Sequence, residues 1–289
     1  MNPATDSMLK KYNCVTRQDF ENAMKEIIQE ISLLGLWRAK FFEHAAFYGG
    51  TALRILYGLD RFSEDMDFSL LVSDRDFELQ SYLDAIGAEL SAMDFNVEIA
   101  EKIKNIDTAI NSAFIKADTK EHFLKIDVPR EIADQIAPRN VLKIKLEVDT
   151  NPPGDFETEA KVLLQPIPFS VRTYKQPDLF AGKIHALLER GWGNGRVKGR
   201  DYYDFVWYLG RDTPVHLAHL KQRLCQTRSW NADRELTRAD LVKLLEAKFS
   251  QVDIELAKRD VLPFLKDPQS IDLWTTDFFI SLLPRLKVC

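Results

Sequence analysis

The sequence predicts an α+β fold, a mixed β-sheet core with flanking helices and a C-terminal helical domain. Three observations carry that expectation. Stretches alternating with a period of two fall before about residue 175. Stretches of helical period stand among them, and from Leu179 onward nearly every segment has that period. Between the two regimes lies a proline-punctuated run, "PIPFSVRTYKQPD". The expected division is 1–174 for the α/β part and 175–289 for the helical part.

The chain has 289 residues, 45% hydrophobic and 29% charged, enough for one large domain or two ordinary ones and unlike a disordered chain. No apolar run approaches the roughly 20 residues that span a bilayer, and the first residues lack the apolar core of a signal peptide. A cytoplasmic protein with no membrane partner is expected. Cys14, Cys225 and Cys289 are odd in number and far apart, which suggests neither a disulfide framework nor a Cys-based zinc site. A net charge of -5 argues against a nucleic-acid coat or a polybasic membrane binder, while leaving room for a local basic groove.

Taken in order, "TRQDFENAMKEIIQEISLLG" opens on Thr16 as N-cap, carries Phe20, Met24, Ile27, Ile28, Ile31 and Leu34 near helical spacing, and has Gly35 as its expected stop. "FFEHAAFY" reads as a short buried strand leading into Gly49-Gly50, and residues 51–57 as a brief helix. Residues 61–71 alternate, with Asp65 and Asp67 on one face and Met66, Phe68 and Leu70 on the other. Residues 75–92 look helical. "FNVEIAEKIK", "HFLKIDVP" and "NVLKIKLEVD" read as strands, the last with Val141, Ile144, Leu146 and Val148 inward and Lys143, Lys145, Glu147 and Asp149 outward. Pro152-Pro153-Gly154 closes it. Helices are expected at "LFAGKIHALLER", "DYYDFVWYLG" and "TRADLVKLLEAKF", and His216 and His219 are expected on a surface helix.

The chemistry concentrates in "YGGTALRILYGLDRFSEDMDFSLL". Two carboxylates at i and i+2 on a strand point the same way, roughly 6 to 7 Å apart, and can converge on a hard divalent cation. Glycines without Cβ let a phosphate approach the backbone, and the N-H groups opening the following helix point at it. Either element alone is commonly a plain turn or a solvated strand edge. Their order, strand, Gly-Gly, short helix, then Asp-x-Asp opening another strand, is what a nucleotidyl-transfer core requires.

"GGTALRILYGLDRFSEDMDF" resembles the first motif of the AbiEii/AbiGii nucleotidyltransferase toxin family. The resemblance implies a nucleotidyltransferase fold in which Asp65 and Asp67 hold Mg2+ or Mn2+ carrying the incoming nucleoside triphosphate, while Gly49, Gly50 and Thr51 hold its phosphates. "LEVD" followed by Pro153 resembles the family's Leu-x-x-Asp-then-Pro motif and implies Asp149 as a third metal ligand, with Glu147 on the same face as the alternative. The tyrosine expected at a fixed distance after that proline is absent from its spacing; the nearest is Tyr174. "LFAGKIHALLER" and "GRDYYDF" are similar to the last family motif through Lys183, Arg190, Arg200, Asp201 and Asp204. Lys183 would then neutralise charge at the phosphates and Asp201 act as general base. The bland reading is that Asp201 caps a helix and Asp204 pairs with a nearby basic residue in a surface network.

Between these segments "GWGNGRVKG" is longer than the family's usual spacer, and Trp192, Arg196, Lys198 and Arg200 make it a candidate contact for an RNA acceptor. The family's Lys-Glu then Thr-x-Arg motif has no full counterpart: Lys120-Glu121 and Arg130 stand alone. The resemblance implies transfer of a nucleoside monophosphate to an acceptor, an RNA end such as that of tRNA, by the toxin half of a toxin-antitoxin or phage-defence pair with a cognate antitoxin. A small-molecule or protein acceptor is the enzymatic alternative, mildly favoured by a pI near 5.7. A nucleotide-binding regulator without turnover is the alternative from another class.

Overall fold

The structure, a computed structural model, describes residues 2–101, 110–118, 141–190 and 197–289. The chain forms two compact units, residues 1–58, 63–152 and 159–173 in the first and 59–62, 153–158 and 174–289 in the second. The expected α+β architecture is present, with a mixed seven-stranded sheet.

In the first unit the strands are β1 (Ala45–Tyr48), β2 (Met66–Leu70), β3 (Val97–Glu101), β4 (Ile110–Asp118), β5 (Val141–Asp149), β6 (Thr158–Leu163) and β7 (Phe169–Tyr174). Their order is β3-β4-β5-β2-β1-β7-β6. β2 lies at the centre, antiparallel to β1 and parallel to β5. Helices α1 (Pro3–Leu9), α2 (Arg17–Arg38), α3 (Gly49–Tyr57) and α4 (Gln80–Ala92) complete the unit. Met66, Phe68 and Leu70 of β2 and Ile144, Leu146 and Val148 of β5 join Ile27, Ile31 and Leu34 of α2 and Ile86 and Leu90 of α4 in one core. The alternation leaves Asp67, Lys145, Glu147 and Asp149 half-buried on the other face of these strands.

The start of α2 is as expected. Thr16 accepts from the Asp19 backbone N-H while Asp19 reaches back to the cap, a capping box. Its end differs, since the helix passes Gly35 and continues to Arg38. Gly35 serves packing instead of termination: a Cβ there would stand 2.9 Å from the Ala85 carbonyl oxygen and the Ile86 Cα of α4. On β5, Leu142 is buried and Val141 is 44% exposed, reversing the expectation for that end of the strand. β2 starts only at Met66, and residues 61 and 62, expected to lead that strand, belong to the second unit. The strands β4, β6 and β7 escaped the sequence reading. β7 lies inside the proline-punctuated run, where Phe169 and Val171 are buried and Thr173 Oγ1 donates to the Phe47 carbonyl at 2.8 Å. The "HFLKIDVP" stretch lies outside the described residues.

The second unit is helical: α5 (Gln176–Glu189), α6 (Gly199–Leu209), α7 (Leu217–Gln226), α8 (Arg238–Gln251), α9 (Ile254–Val261) and α10 (Thr276–Leu282). Aromatic rings fill its core, with Phe180 stacked on Tyr208 at 4.2 Å and Phe249 packed among Tyr202, Phe205 and Phe279. His219 is fully buried, not on a surface face. Its Nδ1 lies 2.9 Å from the Gly154 carbonyl and its Nε2 accepts from Arg223 Nε at 2.9 Å, while burial and then Arg223 push its pKa down to about 3. It is a neutral structural imidazole. His216 Nδ1 meets Asp178 at 2.6 Å. Among the described residues no helix is long and apolar enough to cross a membrane.

One buried group on α2 gives the first unit a pH dependence. Glu26 accepts from Tyr12 Oη at 2.9 Å and Arg54 Nε at 2.7 Å. Glu30 pairs with Lys11 at 3.9 Å. Burial lifts its carboxyl to about 7 against the pull of Lys11, with Glu26 adding to the rise and Arg54 opposing it. A carboxyl whose pKa is raised by folding favours the folded state at low pH. That contribution is lost as pH climbs from the ordinary carboxylate range through about 7. Glu30→Gln should therefore raise the thermal midpoint more at pH 8 than at pH 5, an effect worth at most about 3 kcal/mol. Equal shifts at the two pH values in calorimetry would reject this account.

Candidate active site

The turn from β1 into α3 is built around one close approach. Tyr48, the last residue of β1, is paired with Asp67 of β2. Gly49 follows at φ +81°, in the left-handed region, and opens α3. A Cβ at Gly49 would overlap the Asp67 carboxylate and lie 3.1 Å from its Cβ and Cγ. Glycine is thus required twice, by conformation and by space. Tyr48, the N-cap residue of α3, makes no side-chain cap bond, and the first turn holds no acidic residue, so the positive end of the helix dipole begins at Gly49 beside the Asp67 carboxylate. Gly50 is buried behind them. Thr51 is fully buried too, and its hydroxyl donates to the Asp65 carbonyl. Expected at a phosphate, Thr51 instead ties α3 to the segment that presents Asp65.

The parallel pairing of β2 with β5 decides which carboxylate stands beside Asp67. Asp67 pairs with Glu147, and Asp149 pairs with Ser69. Glu147 is therefore level with Asp67, and Asp149 lies one pleat repeat further, roughly 6 to 7 Å along the strand. Asp149 Oδ1 accepts from the Asn151 N-H at 2.9 Å, a local turn contact. Glu147 is held by Lys145 at 2.7 Å and by the Ser112 hydroxyl at 3.3 Å. Among the described residues no three His, Cys, Asp or Glu side chains converge as a ready-made metal site. The donors still suit Mg2+, a hard ion that takes one or two carboxylates and completes its shell with substrate phosphates and water.

In the second unit, Lys183 of α5 and Asp201 and Asp204 of α6 form a buried ion cluster. Asp204, with no exposed surface, accepts two bonds from Arg61, Nε to Oδ1 and Nη2 to Oδ2, each 2.7 Å. Lys183 Nζ lies 2.6 Å from Asp204 and 3.8 Å from Asp201, and Arg190 Nη1 bonds Asp201 at 2.5 Å. Burial alone would raise the Asp204 carboxyl, yet Arg61 and Lys183 hold it below the usual carboxylate range. Three cations face two carboxylates, which leaves the cluster one positive charge in excess. Lys248, whose ammonium is destabilised by burial, donates to the Leu188 and Arg190 carbonyls at 3.2 and 3.0 Å and closes the end of α5.

Lys183 and Asp201 are thus brought together as the sequence suggested, and Arg61 is the partner it missed. Read as the start of a strand, Arg61 gave no periodic signal; only the closure onto Asp204 reveals it. Of the proposed acceptor contacts, Arg200 stacks its guanidinium 4.2 Å over Phe264 and Lys198 precedes α6. Trp192 and Arg196 lie outside the described residues, as do Lys120, Glu121 and Arg130.

Two substitutions test this geometry. Gly49→Ala should cost about 1–2 kcal/mol from the left-handed backbone alone and should lower turnover far more than that loss explains, because the methyl displaces Asp67. An active, unshifted Gly49→Ala protein in combined melting and activity measurements would reject the close-approach argument. Arg61→Ala leaves a buried carboxylate with half its partners and should destabilise by about 3–5 kcal/mol in denaturant titration.

Residues 31–280 match the family described as nucleotidyl transferase AbiEii toxin, type IV TA system. Among solved structures, JHP933 from Helicobacter pylori is 18% identical with a TM-score of 0.49, covering 91% of this chain and 88% of its own. A second H. pylori structure, described as a candidate nucleotidyltransferase, is 19% identical with a TM-score of 0.48, covering 90% and 89%. No curated protein matches the chain. The family match spans the Gly49–Asp67 turn and the Lys183–Asp204 cluster alike, and the chain belongs to the AbiEii nucleotidyltransferase toxins of type IV toxin-antitoxin systems.

Proposed function

We propose that the protein moves a nucleoside monophosphate from a nucleoside triphosphate to an RNA end, with tRNA as the acceptor class, in a Mg2+- or Mn2+-dependent reaction, and that this arrests growth unless the cognate antitoxin relieves it. The observation that carries the reading is the Asp67 carboxylate set against the Gly49 end of α3. Such a helix end binds phosphate, and the neighbouring carboxylate would hold the cation that accompanies it. Asp65, Asp67 and Glu147 would hold the metal, with Asp149 as the more distant alternative. When bound, the metal would neutralise the triphosphate and favour departure of pyrophosphate.

The chain's own residues do the rest. Gly49 and Gly50 leave room for the phosphates, and the backbone donors of the first turn of α3 orient them. Attack by an acceptor hydroxyl forms a bond to the α-phosphorus and breaks the α-β phosphoanhydride. Lys183, oriented by Asp204 and Asp201 within the second unit, would keep the charge-neutralising role, and Asp201 the general-base role, that the family's last motif implies for them.

With Mg2+ and each α-labelled triphosphate in turn, label should pass to total tRNA. Asp65→Ala and Asp67→Ala should each abolish the transfer and relieve growth inhibition with the fold intact, and chelation should stop the reaction until Mg2+ or Mn2+ is restored. Transfer only to a small molecule or protein would replace the RNA acceptor. Bound nucleotide with no transfer to anything would leave a regulator. Full toxicity of a well-expressed double variant would reject the catalytic assignment.

A further inference from the structure

β2 is shorter than its neighbour β5. Its first residue, Met66, pairs with Leu146, so residues 141–145 of β5 run past the start of β2 beside Glu64 and Asp65. This offset opens a cleft of about 420 Å³ within the first unit, where Lys25 of α2, Lys143 and Lys145 of β5 and Phe114 of β4 stand among the carboxylate residues Glu21, Glu64 and Asp65. The β4-β5 register places Phe114 beside Lys145, and Lys143 Nζ sits 4.0 Å over the Phe114 ring. Phe114 and Lys143 point away from the core because Ala113, Ile115, Leu142 and Ile144 on either side of them fill it.

We propose that this cleft holds the end of a single-stranded polynucleotide acceptor, with a base against Phe114 and phosphates at Lys25, Lys143 and Lys145. The inference rests on the nucleotidyl-transfer reading above and assigns the acceptor subsite within it. Three features converge. An aromatic ring flanked by lysines is the combination that binds single strands without a fixed sequence, by stacking and phosphate contact. Asp65 forms part of the same wall, so an acceptor end in the cleft lies beside the carboxylate that would carry the metal. The volume suits one nucleotide and a flanking phosphate, since pockets for ligands of that size run from about 300 Å³ upward.

Among the described residues Lys25 pairs with Glu64 at 2.9 Å and Lys145 with Glu147 at 2.7 Å. Glu21, Glu64 and Asp65 balance the three lysines of the cleft, so phosphate would bind by replacing carboxylate partners of the lysines and not through a net positive field.

The test measures binding of a short, 5′-labelled single-stranded RNA to the full chain by fluorescence anisotropy across a salt series. Phe114→Ala should weaken binding about 5- to 100-fold, the range for loss of one stacked base, and Phe114→Trp should restore it. Lys143→Gln should flatten the slope of log affinity against log salt by about 0.7. Equilibrium dialysis with each triphosphate should give the unsubstituted affinity for both variants, and their melting midpoints should stay within a few degrees of it. RNA bound equally well by the unsubstituted, Phe114→Ala and Lys143→Gln proteins would overturn the subsite while leaving RNA as acceptor. Loss of triphosphate binding in place of RNA binding would overturn it in favour of a nucleotide pocket. An unsubstituted protein that neither binds nor labels RNA would overturn both the subsite and the RNA reading.

Discussion

The contact on which the site depends is the approach of the Gly49 backbone to the Asp67 carboxylate. It arises from the pairing of two short strands, β1 and β2, with Tyr48 opposite Asp67. The positive φ at Gly49 turns the chain from strand to helix within one residue, and the absent Cβ lets the helix start where the carboxylate ends. The backbone of α3's first turn and the Asp67 carboxylate come from different segments, and this turn brings them to one place. Thr51 reinforces it by fixing the Asp65 carbonyl from inside α3.

The second unit solves a different problem, orienting a mostly buried lysine. Lys183 Nζ lies 2.6 Å from Asp204. Arg61 grips Asp204 through two bonds, and with Lys183 it holds that carboxyl below the usual carboxylate range. A buried ion group of this kind is weak evidence for net stability, because desolvation offsets most of the attraction. Its effect is directional: it fixes where Lys183 can point.

Much of this was legible in the sequence because it depends on local rules. The Thr16 capping box, the alternation of Met66, Phe68 and Leu70 against Asp67, the Gly-Gly pair and the helical period of "LFAGKIHALLER" are each set by neighbours a few residues away. The errors share a cause in long-range packing. Gly35 reads as a helix stop until α4 is seen pressed against it, and His219 reads as a surface residue until Gly154 and Arg223 enclose it. The strand Phe169–Tyr174 is masked by flanking prolines, which limit its ends without preventing its pairing with β1.

The sequence by itself determined the residue types and their local setting: a glycine pair, an Asp-x-Asp pair, and Lys183, Asp201 and Asp204 on segments of helical period, since residue type and short spacing suffice for these. Tertiary structure decided which groups meet. Strand register is a property of pairing, not of either strand, and it set Glu147 rather than Asp149 beside Asp67. Chain closure across more than a hundred residues brought Arg61 to Asp204, and the mismatch in length between β2 and β5 opened the cleft beside Asp65. No short window of sequence contains any of these three, because each depends on two segments at once.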